Sequence, residues 1–180
     1  FDAAVDAKSP ATRRARLLAA LQAAARSRQV KPAGDLAARL GPLVSDNEGA
    51  IAAEAARLVG LWKLAELRPA LAAALESRDG APEVKLAAVE ALAGLQSGDD
   101  RAILDVVSAS DASSPALRRA AVAALTRFDL PLAATRAAAL LSSPKPETEA
   151  LVQAFLDRKE GPAALAGALA SVKLSPDVAK

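Results

Sequence analysis

The chain contains no cysteine, histidine, methionine or tyrosine, and aromatics make up only 2% of its residues. Without cysteine there are no disulfides, thiolate metal sites or cysteine nucleophiles, and the redox compartment leaves no mark. Without histidine the commonest general base and the commonest metal ligand are both missing. No uninterrupted apolar run approaches the roughly 20 residues that span a bilayer, and no signal peptide is visible. A dominant sign of charge is lacking too, since 23 basic residues face 21 acidic ones for a formal +2. That balance is too even to argue by itself for a nucleic-acid or membrane partner. The pI of 9.2 reflects the missing His and Tyr, which leave the neutral range unbuffered.

What is present is apolar and small. Apolar residues form 52% of the chain, so with so few rings the core must be built from Ala, Leu and Val. Alanine alone is about a quarter of the residues, far above ordinary usage. Ala and Leu are the strongest helix formers, and small side chains let helix axes approach closely. The composition predicts an all-α protein.

The punctuation repeats. Pro82-Glu-Val-Lys-Leu-Ala-Ala-Val-Glu-Ala-Leu is followed 33 residues later by Pro115-Ala-Leu-Arg-Arg-Ala-Ala-Val-Ala-Ala-Leu. Weaker starts fall at Pro10, Gly49, Pro146 and Pro176. A period of this size, with two helices per repeat, predicts stacked helical hairpins, an architecture that works as a binding surface. First helices are expected near 10–27, 49–63, 82–96, 115–127 and 146–159. Second helices are expected near 33–44, 67–77, 99–110, 130–142 and 162–172. Arg26 to Ala33 is the longest undefined connection. Ser9, Ser114 and Ser175 read as N-caps before prolines, and Ser45 with Glu48 has capping-box spacing. Apolar positions such as Leu17, Leu18 and Leu21, or Val84, Leu86, Val89 and Leu92, recur at helical spacing. The expected organisation is one array over residues 1–180, about five hairpins plus the start of a sixth. With no initiator methionine and a repeat opening at Pro176, the chain is expected to be a piece of a larger protein. The uncapped ends of such an array are open to dimerisation.

The segments at 82–92 and 115–125 resemble the first helix of a HEAT-type repeat. In that family a proline opens the helix, a basic residue follows the aliphatic one, and an Ala-Ala pair admits the partner helix. The resemblance covers the whole chain and implies an α–α superhelix, that is, a HEAT-like solenoid of antiparallel helix pairs. A narrower one rests on Gln153-Ala-Phe-Leu-Asp-Arg-Lys-Glu-Gly-Pro-Ala-Ala-Leu-Ala-Gly-Ala-Leu, Leu174-Ser-Pro-Asp-Val-Ala-Lys, and Leu61-Trp-Lys-Leu before Leu67-Arg-Pro. These are similar to the helical-repeat region of large secreted bacterial proteins in which a sugar-dehydrogenase-like propeller precedes the repeats and a c-type haem domain follows. This second resemblance implies a spacer or docking module in a periplasmic or extracellular protein. The haem-attachment cysteines and histidine are absent, so no redox residue carries over and no cofactor is expected.

Individual residues point away from chemistry. Asp99, Asp100 and Asp105 could suit a hard cation, but Asp99 and Asp100 fit the start of a helix, and no calcium-loop pattern accompanies them. Ser142 to Lys145 matches Ser-x-x-Lys without its companion motifs, in a proline-rich turn. Trp62 sits among Leu58, Leu61 and Leu64, as a packing residue whose indole N–H lies near the surface; Phe128 and Phe155 read the same way. Arg13, Arg14, Arg16, Arg26, Arg28 and Lys31 form the one concentration of charge. No aromatics are interleaved for base stacking. The second helices offer the candidate partner-binding face: Asp35, Arg39, Arg68, Glu76, Arg101, Asp105 and Arg136. Their mixed signs suit a protein partner or neighbouring domain better than a polyanion. The expected function is a non-catalytic scaffold and spacer. The alternative is a nucleic-acid-binding solenoid using the amino-terminal basic residues.

Overall fold

Small polar side chains mark several helix starts in the sequence, and a computed structural model, which describes residues 1–142 and 149–172, forms caps at four of them. Its helices are α1 (Asp2–Val5), α2 (Ala11–Arg28), α3 (Leu36–Val44), α4 (Gly49–Trp62), α5 (Arg68–Glu76), α6 (Pro82–Leu95), α7 (Gly98–Ala109), α8 (Pro115–Leu125), α9 (Leu130–Leu141), α10 (Glu149–Leu156) and α11 (Gly161–Ala170), with a 3-10 turn at Ala65–Leu67. Among the described residues there is no strand, and the protein is all-helical. Asp35, Ser114 and Asp129 cap α3, α8 and α9, each accepting the N–H three residues on. Ser97 and Asp100 form a reciprocal capping box at α7, so Asp100 is a capping residue. Two expected caps are not formed. Pro10, not Ser9, is the N-cap of α2. At α4 the N-cap is Glu48, and its N–H is taken by Asp46 at 3.0 Å rather than by a Ser45–Glu48 box. Ser175 and the Ser142–Lys145 motif lie wholly or partly outside the described residues.

Three helix ends share one conformation. Gln29, Lys63 and Gln96 follow the ends of α2, α4 and α6, and all three have left-handed backbone, with φ of 53°, 54° and 62°. That conformation costs a residue with a Cβ about 1 kcal/mol, yet it satisfies carbonyls orphaned at a helix end. At Lys63 the turn is completed by the Leu64 N–H donating to the Val59 carbonyl at 3.0 Å.

The helices gather into two units, Phe1–Leu95 and Gln96–Lys180, which divide between α6 and α7. In the first, α4 lies between α2 and α6, with α3 also against α4 and α5 against α6. Most of α4 is buried, largely through Ala52, Ala53, Ala55, Ala56 and Gly60, with Ile51, Leu58 and Val59 filling the gaps. The α4 and α6 axes come close because Gly60 meets Ala91 and Gly94 at their crossing: a Cβ built on Gly60 would lie 2.5 Å from Ala91 Cα. In the second unit α8 packs against α7, α9 and α10, and α11 against α9 and α10. Phe155 on α10 is fully buried there. Gly161 opens α11 against the Phe155 carbonyl, which no side chain could approach so closely.

Candidate interaction surfaces

In the first unit, polar side chains bridge helices and the loops beside them at separations close to the spacing of the sequence motifs. Arg14 on α2 donates to Asp46 at 3.1 Å, 32 residues away. The Trp62 indole donates to the Val30 carbonyl at 2.9 Å, also 32 residues away. Lys31 donates back to the Trp62 carbonyl at 2.9 Å. Arg57 on α4 holds Glu54 at 2.8 Å and Glu90 on α6 at 3.0 Å. With the Gln22 amide oriented to satisfy both its neighbours, it donates to Glu54 at 2.9 Å and accepts from Arg26 at 3.2 Å. A polar ladder therefore runs from α2 across α4 to α6. Trp62 is a buried packing residue tied through its indole N–H, as its leucine neighbours suggest.

The residues expected to form a partner face are distributed as follows. Asp35 is engaged as the α3 cap, its carboxylate accepting the Ala38 N–H at 2.9 Å. Arg39 lies 4.4 Å from the centroid of the Phe1 ring and pairs with Asp2. The Arg39 hydrogen bond and charge hold the Asp2 carboxyl below its ordinary pKa. Phe1 in turn meets the Trp62 ring edge-on at 5.8 Å. Arg68 opens α5 half-buried, and Glu76 ends it exposed. In the second unit, Arg136 on α9 grips Asp105 on α7 at 2.9 Å, 31 residues apart, and Arg101 reaches Asp129 at 3.1 Å. The structure thus brings Arg101, Asp105 and Arg136 onto neighbouring helices, where each is paired within the chain. Beside them Val106 is 70% exposed, the most open large apolar side chain among the described residues.

No family model, curated protein or solved structure matches this chain.

Helical spacing points Arg14 away from Arg13 and Arg16 but leaves it among the solvated basic residues, and the structure corrects the latter. Arg14 is buried against Asp46, with side-chain exposures of 11% and 18%, and its Nε has no hydrogen-bond partner among the described residues. It belongs to the interior of the first unit and to no anion-binding patch. Removing Asp46 leaves a nearly buried guanidinium without its counter-charge, a change that costs about 3–5 kcal/mol when burial is complete. Residual solvent access reduces this, so Asp46→Ala is expected to destabilise by about 2 kcal/mol. Adding Arg14→Leu should recover much of that loss, because an apolar replacement of both partners removes the desolvation penalty. Urea midpoints of the single and double variants check this; a double variant as weak as Asp46→Ala would show that the pair itself is not the cause.

The charge partners escape sequence reasoning when each is weighed alone. One signal was available: Arg14 with Asp46, Arg57 with Glu90 and Asp105 with Arg136 are opposite charges lying 31 to 33 residues apart. Arg57 and Glu90 each lie eight residues after the first residue of their helices, so stacking of like helices would bring them together.

Proposed function

We propose that this chain is a HEAT-like array of helical hairpins that acts as a non-catalytic scaffold and spacer, presenting side chains to protein partners or neighbouring domains. The observation that carries the reading is the agreement of three spacings. Sequence motifs recur 33 residues apart at Pro82 and Pro115. Hydrogen bonds between different elements join residues 31, 32 and 33 apart, beside others at 28 and 37. The left-handed ends of α2, α4 and α6 step by similar intervals, at Gln29, Lys63 and Gln96. Such a pattern arises when each hairpin stacks on the next in the same register. The α–α superhelix is proposed on this ground, as is the single array over residues 1–180. The charged groups fit a scaffold: Asp35 and Asp129 cap helices, while Arg57, Arg101 and Arg136 each reach a carboxylate on another element. In the setting implied by the narrower resemblance, the array would separate a dehydrogenase-like domain from a c-type haem domain.

Small-angle X-ray scattering tests the array directly. A single compact domain of this length has a radius of gyration of about 16 Å. The stacked array should exceed that clearly and show an asymmetric pair-distance distribution. A radius near the compact value would rule the array out.

A further inference from the structure

The exposed face of α2 has the features of a helix-docking surface whose acidic half is missing. Arg13, Arg16, Ala20 and Ala23 are all exposed and follow one another at helical three- and four-residue steps, with Arg26 and Arg28 exposed near the far end. From Arg13 to Arg28 the helix rises about 22 Å. No acidic residue occurs between Asp6 and Asp35. Among the described residues Arg13, Arg16 and Arg28 have no ion-pair partner, and Arg26 meets only the neutral Gln22 amide. Arg13 lies in the first turn of α2, where the helix dipole disfavours positive charge by a few tenths of a kcal/mol. Local stability gains nothing from that placement.

The first unit contains a filled version of the same surface. Where α6 packs on α4, small residues meet at the crossing, Gly60 against Ala91 and Gly94. At the rim Arg57 is held by Glu54 and Glu90. The exposed face of α2 offers the alanine floor and the arginine rim without the carboxylates. We propose that this face docks an acidic amphipathic helix of a protein partner, with small residues along its contact stripe and carboxylates at its flanks. The inference rests on the reading of the chain as an interaction scaffold and names the partner chemistry for one surface of it. A nucleic-acid backbone fits less well. It would use the guanidinium groups but not the alanine floor, and Trp62 is buried away from any base.

The test is fluorescence anisotropy on the whole chain with three labelled probes. They are a helical peptide of repeated Glu-Ala-Ala-Leu-Glu-Ala-Ala heptads, its counterpart with Lys for Glu, and a mixed-sequence DNA duplex. The Glu peptide should bind, weaken as salt rises, and lose at least about tenfold in affinity in the double variant Arg13→Glu/Arg16→Glu. Ala20→Trp should weaken it several-fold by preventing close helix approach, while Lys159→Glu in the second unit changes nothing. Circular dichroism confirms that each variant keeps its helical content. Failure of the Glu peptide to bind at low salt overturns the proposal, as does equal binding of the Lys peptide. DNA binding that is lost with the two arginines but indifferent to Ala20→Trp would also overturn it, assigning the face to phosphate. Scattering keeps the two readings separate: an elongated chain that ignores the Glu peptide defeats only the docking proposal. A compact one defeats the array whatever the peptide does.

Discussion

Gly60→Ala is expected to weaken the protein by about 2 kcal/mol, although the same change in an isolated helix would strengthen it. Gly60 lies inside α4 and has no positive φ, so alanine there gains about 1 kcal/mol of helix propensity. Against this, the added methyl would sit 2.5 Å from Ala91 Cα and 2.9 Å from its carbonyl oxygen. These are backbone atoms of α6 and cannot rotate aside, so the helices must separate, at an overpacking cost of about 3 kcal/mol. For a chain of this length the net loss lowers the melting temperature by roughly 4–8 °C. Gly167→Ala supplies the opposite sign, since a Cβ at that position on α11 would meet nothing within 4 Å. That variant should gain up to about 1 kcal/mol. Thermal and urea unfolding of the two variants decide the matter. Similar shifts in both would show that the α4–α6 contact does not govern Gly60.

Phe155→Ala is expected to cost more, about 3–5 kcal/mol. Phe155 is wholly buried on α10, in a unit whose other core residues are mostly Ala, Leu and Val. Small neighbours cannot swing in to refill the space, so the cavity term adds to the lost transfer energy. The adjacent Leu156 is 54% exposed, and its replacement by alanine should change stability by no more than about 0.5 kcal/mol. Urea midpoints measured on the pair check this. Comparable losses at both positions would mean that α10 packs on its other face.

Much of the fold was legible because helix signals are local. The starts at 49, 82, 115 and 130 coincide with the observed first residues of α4, α6, α8 and α9; at the last three a proline or a polar cap acts within one turn. The short α1 and the turn at Ala65–Leu67 left no such mark, being too brief to develop a periodic pattern. The core was read less well than the helices. Val84, Val89 and Leu92 are buried as their spacing suggests, but Leu86 is only half-buried while Ala87, Ala88 and Ala91 are fully enclosed. The burial of Ala87 and Ala88 agrees with the expectation of an alanine-built core whose Ala-Ala pair admits a partner helix, while the half-burial of Leu86 departs from the leucine spacing. The candidate face was the least legible, for Arg39, Arg101, Asp105 and Arg136 read as free surface charges and each has a partner within the chain.

By itself the sequence determined the helical class and most helix starts: an alanine- and leucine-rich chain forms helices, and prolines and polar residues divide them. It also excluded cysteine and histidine chemistry outright. The tertiary structure alone decided which glycines are contacts, and that Arg14 is an interior residue while Arg13 and Arg16 remain outside. These depend on the rotation and separation of helices about 32 residues apart, which the joint packing of many small side chains sets and no local signal encodes.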